Sequence, residues 1–247
     1  MQSHFLKLNS DKSELLVITK PSLSQCGVTS LNICGTIINA SQSVRNLGVY
    51  YDSVLKMDTH IMTICKKAYY QIHLIHKVRK YISEDAAKML VQANVTPLLD
   101  YCNGLLIGLP DILLNRLQRV QNCAAHIIKC APKFCHIMPI LKDLHWLPVK
   151  YRIQYKIVLM TFKALNGLAP PYIDELIEKY EPTRNLRSAN ENLLTPKSFS
   201  SVNYGERCFE GIAPSLWNGL TTELRKPYSI DCFKSKLKTH YFNIAFK

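Results

Sequence analysis

Met57-Asp58-Thr59-His60-Ile61-Met62-Thr63-Ile64-Cys65-Lys66-Lys67-Ala68-Tyr69-Tyr70-Gln71-Ile72-His73-Leu74-Ile75-His76-Lys77-Val78-Arg79-Lys80-Tyr81-Ile82 carries two interleaved periodic patterns. Its apolar positions Met57, Ile61, Ile64, Ala68, Ile72, Ile75 and Ile82 step by three, four and seven, which places them on one face of a helix. A second stripe with the same period is basic and aromatic: Lys66, Tyr70, His73, Lys77 and Lys80. One face can pack on protein while the other offers cations and rings to something acidic. A merely solvated surface helix is the plainer alternative.

Upstream of this helix the pattern is β. Glu14 to Thr19 reads as a strand, Pro21 to Gly27 as a loop, Leu31 to Ile38 as a hairpin broken at Gly35, and Val44 to Tyr51 as a third short strand. Three short strands make a poor domain alone, so the sheet is expected to be a remnant whose other strands are missing. Open edges and exposed apolar side chains are then expected beside Leu15, Val17 and Ile33.

Downstream, helical patterns dominate. Ser83 is a candidate N-cap followed by Glu84 and Asp85, and that helix runs to Val95 and is kinked or restarted at Pro97. The next helix directs Leu113, Leu117, Val120, Ala124 and Ile127 inward. Its other face carries Asn115, Arg119, Asn122, His126 and Lys129. After His145-Trp146-Leu147-Pro148 a further helix directs Ile153, Ile157, Met160 and Ala164 inward, with Arg152, Lys156 and Lys163 elsewhere on it. Asn166-Gly167 ends it and Pro170-Pro171 starts the next. Thr183 to Gly205, rich in Ser, Asn and Thr, reads as an exposed linker or loosely ordered arm. A terminal helix near Ile230–Phe242 carries Lys234, Lys236 and Lys238. The fold class expected is α+β, mainly α, with a small antiparallel three-stranded sheet ahead of the helices.

Lys plus Arg number 31 against 18 Asp plus Glu, a formal net charge of +13. That excess favours a polyanion, nucleic acid before an anionic membrane surface. No apolar run reaches membrane-spanning length, so no transmembrane helix is expected. The nine cysteines are scattered and odd in number, and no secretory signal precedes them. A reduced intracellular compartment, nucleus or cytoplasm, fits that pattern.

Seven stretches in order resemble the C-terminal part of the reverse transcriptase of LINE-type non-LTR retrotransposons. They are Phe5-Leu6-Lys7-Leu8-Asn9 with Lys12-Ser13-Glu14; Asn46-Leu47-Gly48-Val49 with Asp52-Ser53; Leu99-Asp100-Tyr101-Cys102-Asn103; and Leu114-Asn115-Arg116-Leu117-Gln118-Arg119-Val120-Gln121-Asn122. Leu144-His145-Trp146-Leu147-Pro148-Val149, Lys163-Ala164-Leu165-Asn166-Gly167-Leu168-Ala169-Pro170 and Ala213-Pro214-Ser215-Leu216-Trp217-Asn218 complete the set. The resemblance implies that residues 1–52 are an incomplete palm edge, with Lys12 where the family has a lysine near the incoming nucleotide. Residues 53–129 would be a thumb-like helical region along the primer–template duplex, and residues 130–182 a helical C-terminal region. Residues 183–205 would be the linker and 206–247 a helical tail.

Polymerase chemistry needs carboxylates that hold two divalent ions, and the family carries them on a separate strand and in a Tyr-x-Asp-Asp turn. This chain has no Asp-Asp pair, and Tyr51-Asp52-Ser53 supplies one carboxylate where two ions need a clamp. Mg2+ therefore belongs to the full-length parent only, and no cofactor and no catalytic residue are expected here. A restriction-like nuclease would need, beyond Pro110-Asp111, an acidic residue with Lys two positions on, which is lacking. A glycine-rich phosphate loop is lacking too. Cys123, His126, Cys130 and Cys135 offer zinc ligands on paper, without the paired Cys-x-x-Cys spacing; buried packing is the plainer role.

The expected function is that of a truncated reverse transcriptase-like protein that binds RNA or DNA, an RNA–DNA hybrid or duplex, without reading sequence. Phosphate contacts are assigned to Lys66, Lys77, Lys80, Arg119, Lys129, Arg152, Lys156 and Lys163, and sugar or base contacts to Tyr70 or His73. The alternatives are a non-functional retrotransposon fragment, or an accessory subunit completed by another polymerase chain.

Overall fold

The computed structural model describes residues 9, 12–19, 27–33, 35–132, 134–182, 192–201 and 205–247. Residues 5–8 of the first resembling stretch, the loop at 21–26, Cys26, Cys34 and residues 183–191 and 202–204 of the arm lie outside them. The fold is α+β and mainly α, with 56% of the described residues in helix and two small antiparallel sheets among them. It divides into two compact units, Met1–Ile64 and Cys65–Lys247.

The first unit holds β1 (Ser30–Ile33) paired antiparallel with β2 (Thr36–Asn39), Leu31 opposite Ile38. It also holds β3 (Ser43–Asn46) paired with β4 (Val49–Asp52), Val44 opposite Tyr51. These are two separate two-stranded sheets, not the single three-stranded sheet expected. The stretch read as one strand from Val44 to Tyr51 turns back on itself. Leu47 and Gly48 both have positive φ, 46° and 85°, the backbone of a two-residue hairpin turn whose twist matches the strands. Glu14–Thr19 forms no ladder either. Leu15 makes one parallel bridge to Ala40, its carbonyl accepts from Ser41 N at 2.9 Å, and Thr19 N donates to Ser53 O at 3.2 Å.

Asp52 closes the second hairpin and prepares the next helix. Its Oδ1 accepts from Val54 N at 3.1 Å and Lys56 N at 2.9 Å, and its Oδ2 from Met57 N at 2.6 Å. A carboxylate occupied by three backbone donors is a capping group for the turn ahead of the helix. That helix, α1 (Asp58–Val78), has 21 residues and so is about 31 Å long. Met57, Ile61, Ile64, Ala68, Ile72 and Ile75 are all buried as their spacing requires, while Ile82, past the helix end, is half-buried.

In the second unit Ser83 caps α2 (Glu84–Asn94) by accepting from Ala86 N at 3.2 Å. The chain restarts at Pro97 as α3 (Thr96–Asp100). Next come α4 (Asp111–Lys129), α5 (Ile137–Asp143), α6 (Val149–Leu165), α7 (Pro171–Asp174), α8 (Phe209–Asn218) and α9 (Ile230–Ala245). Helix α6 is the hub: α3, α4, α7, α8, α9 and the 3-10 turn Asn103–Leu106 all pack on it. Being covered on more than one side, it buries Val158, Thr161 and Phe162 as well as Ile153, Ile157 and Ala164, and Met160 faces out at 41% exposure. Met160 is thereby corrected as a member of the single inward stripe expected over Ile153, Ile157, Met160 and Ala164; periodicity finds one buried face, not two.

The start of α6 is held by α4. Gln121, 1% exposed, donates from Nε2 to Leu147 O at 2.8 Å, and Gln118 Oε1 accepts from Val149 N at 2.8 Å. The second bond satisfies one of the backbone donors that a helix leaves unmet at its first turn. The core behind α6 stacks Phe162 on Phe233, ring centroids 4.0 Å apart, with Trp217, Leu237 and Tyr241 around them.

The arm expected over Thr183–Gly205 is corrected over its described residues 192–201. Leu194 is buried in that core. Asn218 grips its backbone through Leu194 N to Oδ1 at 2.9 Å and Nδ2 to Leu194 O at 2.8 Å, and Trp217 Nε1 donates to Asn192 O at 2.8 Å. A Ser/Asn/Thr-rich composition reads as linker because it lacks apolar periodicity, yet one leucine and two side-chain partners suffice to dock it.

Candidate nucleic-acid interface

The side chains of Lys66, Tyr70, His73 and Lys77 on α1, and of Lys80 in the 3-10 turn Arg79–Tyr81 that follows it, are all exposed. At about 100° per residue they fall within an arc of about 80°, roughly opposite the buried stripe. No acid pairs with Lys66, Lys77 or Lys80 among the described residues. Lys80 lies 4.7 Å from the centre of the Tyr81 ring. Arg79 is turned inward instead: its Nε donates to Ile127 O at 2.9 Å and its Nη2 to Ile128 O at 2.8 Å, capping the C-terminal carbonyls of α4. That anchors the end of the stripe to the helical unit, and a cation there suits the negative end of α4.

The remaining cations divide. Arg119 on α4 and Lys156 on α6 are exposed, and Lys163 is half-buried. Lys129 is engaged by Glu84 and Asp143, each at 2.5 Å. These hydrogen bonds hold its ammonium protonated above the ordinary lysine range, and that of Lys129 pulls the Asp143 carboxyl below the ordinary carboxylate range. Arg152 is engaged too, donating from Nε to Asp100 Oδ1 at 2.9 Å and from Nη2 to Asp100 Oδ2. Of the cations expected to meet phosphate, Lys129 and Arg152 already have internal counter-charges. The partner of Asp100 lies 52 residues on, at Arg152.

Lys12 is exposed in the first unit, with its N–H on Asn9 O at 3.2 Å. Cys123, His126, Cys130 and Cys135 are not brought together: among the described residues no group of three or more His, Cys, Asp or Glu side chains could hold a metal. Cys123 and Cys65 are half-buried, and burial pushes both thiols up, Arg116 opposing this at Cys65. Cys130 caps α4 in a left-handed conformation at φ 48°, and Cys135 is exposed. His145 is exposed and Trp146 buried, which fits a helix-anchoring tryptophan.

A cleft of about 350 Å³ opens between α3, α6 and α9, lined by Asp100, Asn103, Trp146, Arg152, Lys156 and Lys238 among others. Lys238 and Asn103 are absent from the sequence-based interface. Nothing in the spacing of the chain links the terminal helix to α6; only the packing of α9 on α6 does.

No helix among the described residues is long and apolar enough to cross a membrane. No protein-family model, curated protein or solved structure matches the chain.

Proposed function

We propose that the chain binds RNA or DNA without reading sequence, as a reverse transcriptase-like protein that lacks the polymerase carboxylates in its own sequence. The observation that carries this reading is the exposed stripe on α1. Three lysines without acidic partners among the described residues, a tyrosine and a histidine lie along one face of α1 and the 3-10 turn after it, in a chain of net charge +13. Ammonium groups free of internal counter-charges can displace the ions condensed on a phosphate backbone, and the rings can lie against sugar or base. Order and spacing of the seven resembling stretches support the family.

The test is fluorescence anisotropy with a primed RNA–DNA hybrid across a salt series. Binding is expected to weaken with salt, with a slope of about −3 from Lys66, Lys77 and Lys80 alone, at roughly 0.9 per neutralised phosphate on duplex. Lys66→Gln, Lys77→Gln and Lys80→Gln together are expected to remove that share. Binding that ignores salt, or none at about 50 mM, overturns the reading.

A second reading, completion by another chain, draws on the hairpin unit. Ile18, Val28, Leu31, Ile37 and Leu47 are 48%, 49%, 47%, 67% and 83% exposed, and each two-stranded sheet leaves edge strands for pairing. Capture of a partner after nuclease treatment would favour it.

A further inference from the structure

We propose that the cleft beside α6 is a binding site for a single nucleotide, its phosphate held by Lys156 and Lys238. None of its lining residues belongs to α1, so the inference stands apart from the helix stripe. The volume of about 350 Å³ lies at the small end of the roughly 300–1,000 Å³ that ligand sites occupy, room for one nucleotide and not for a duplex.

The charge inside the cleft is unbalanced. Asp100 and Arg152 cancel one another in their two-pronged pair. Lys156 from α6 and Lys238 from α9 are exposed, and neither has an acidic partner among the described residues. Two ammonium groups on one cavity repel unless an anion lies between them. A phosphate monoester supplies up to two negative charges and acceptor oxygens for both.

Asn103 specifies more than an anion. It is 4% exposed and lines the cleft, and its Oδ1 accepts no hydrogen bond among the described residues. Its Nδ2 is directed to Asp100 Oδ1 at 3.4 Å, so the oxygen is the end left over. A buried acceptor without a partner favours a ligand that brings a hydroxyl or amine donor. Trp146 and Tyr155 add aromatic wall to the same cleft, suited to a planar base. Phosphate, donor and ring together describe a nucleotide, either free or at the end of a strand.

The experiment titrates the full chain with AMP, adenosine, inorganic phosphate and a duplex carrying a single 5′-phosphorylated unpaired nucleotide, following tryptophan fluorescence and calorimetry. AMP is expected to saturate, with adenosine and phosphate each weaker. Lys156→Gln and Lys238→Gln are each expected to weaken AMP roughly tenfold, the effect of losing one charge-assisted contact, with the melting temperature unchanged because both side chains are exposed. The α1 triple variant is expected to bind AMP as the parent does while losing hybrid binding, so the two proposals fail separately. If only the overhang duplex binds, and the cleft variants weaken it, the nucleotide is strand-borne. No binding of AMP or overhang at about 1 mM, equal binding by the cleft variants, or AMP binding lost with the α1 triple overturns the site.

Discussion

Arg152 and Asp100 face each other as a fork on a carboxylate, Nε to Oδ1 at 2.9 Å with Nη2 on Oδ2. The pair joins α3 to α6, and the arginine is a structural cation with its planar guanidinium spent on the protein itself. Asp100→Asn is expected to destabilise the helical unit by about 1–3 kcal/mol, since it leaves a largely buried guanidinium without its counter-charge. Urea unfolding measures this, and Arg152→Gln should leave the salt slope of hybrid binding unchanged.

Lys129 and Arg119 sit on the same helix and should behave differently. Lys129 is held by Glu84 and Asp143, whereas Arg119 is exposed. Arg119→Gln is expected to weaken hybrid binding and shallow its salt slope by about 1; Lys129→Gln should do neither. Anisotropy titrations of the two variants side by side decide it.

Phe233 is fully buried and stacked on Phe162. Truncation to alanine removes that stack and opens a cavity behind α6, at an expected cost of about 3–5 kcal/mol. A denaturant midpoint that moves by less than a third of this would mean the core collapses to refill the space.

Burial holds the Tyr241 phenol protonated well above the usual tyrosine range. Its folded pKa is thus raised above the unfolded value of about 10, so its stabilising share is complete below that pH and drains away as pH climbs past it. Tyr241→Phe cannot ionise. The stability gap between parent and variant is therefore expected to move in favour of the phenylalanine between about pH 8 and pH 11, followed by chemical denaturation.

Asp52 ties three backbone donors ahead of α1. Asp52→Ala is expected to destabilise the hairpin unit by about 1–2 kcal/mol, the range for losing a capping carboxylate. Hydrogen exchange at Val54, Lys56 and Met57 should speed up selectively; unchanged exchange there would mean other groups take over the cap.

The inward face of α1 was legible in sequence because a helix with one covered side has one period. Helix α6, covered on several sides, hid Val158 and Phe162 from the same test and misplaced Met160. The reversal at Leu47 was hidden because leucine seldom adopts positive φ, so only Gly48 marked the turn. A docked Leu194 has no local signature at all; its partners Trp217 and Asn218 lie in α8, more than twenty residues on. Among the residues proposed to meet nucleic acid, the exposure of Lys66 and Lys77 followed from their period. Which cations are already neutralised did not, because Asp100 and Arg152 meet only when α3 packs on α6.

Gln118 and Gln121 hold the backbone where α6 begins, and this has a practical outcome for anyone trimming the chain. A polypeptide ending at residue 129 keeps both glutamines but discards Leu147 and Val149. The amide of Gln121, now 1% exposed, would then confront either water or a greasy void, and α4 would lose the neighbour that dries its inner side. Expression of residues 65–129 alone should yield a floppy, protease-sensitive product, whereas a stop placed beyond α9 should not.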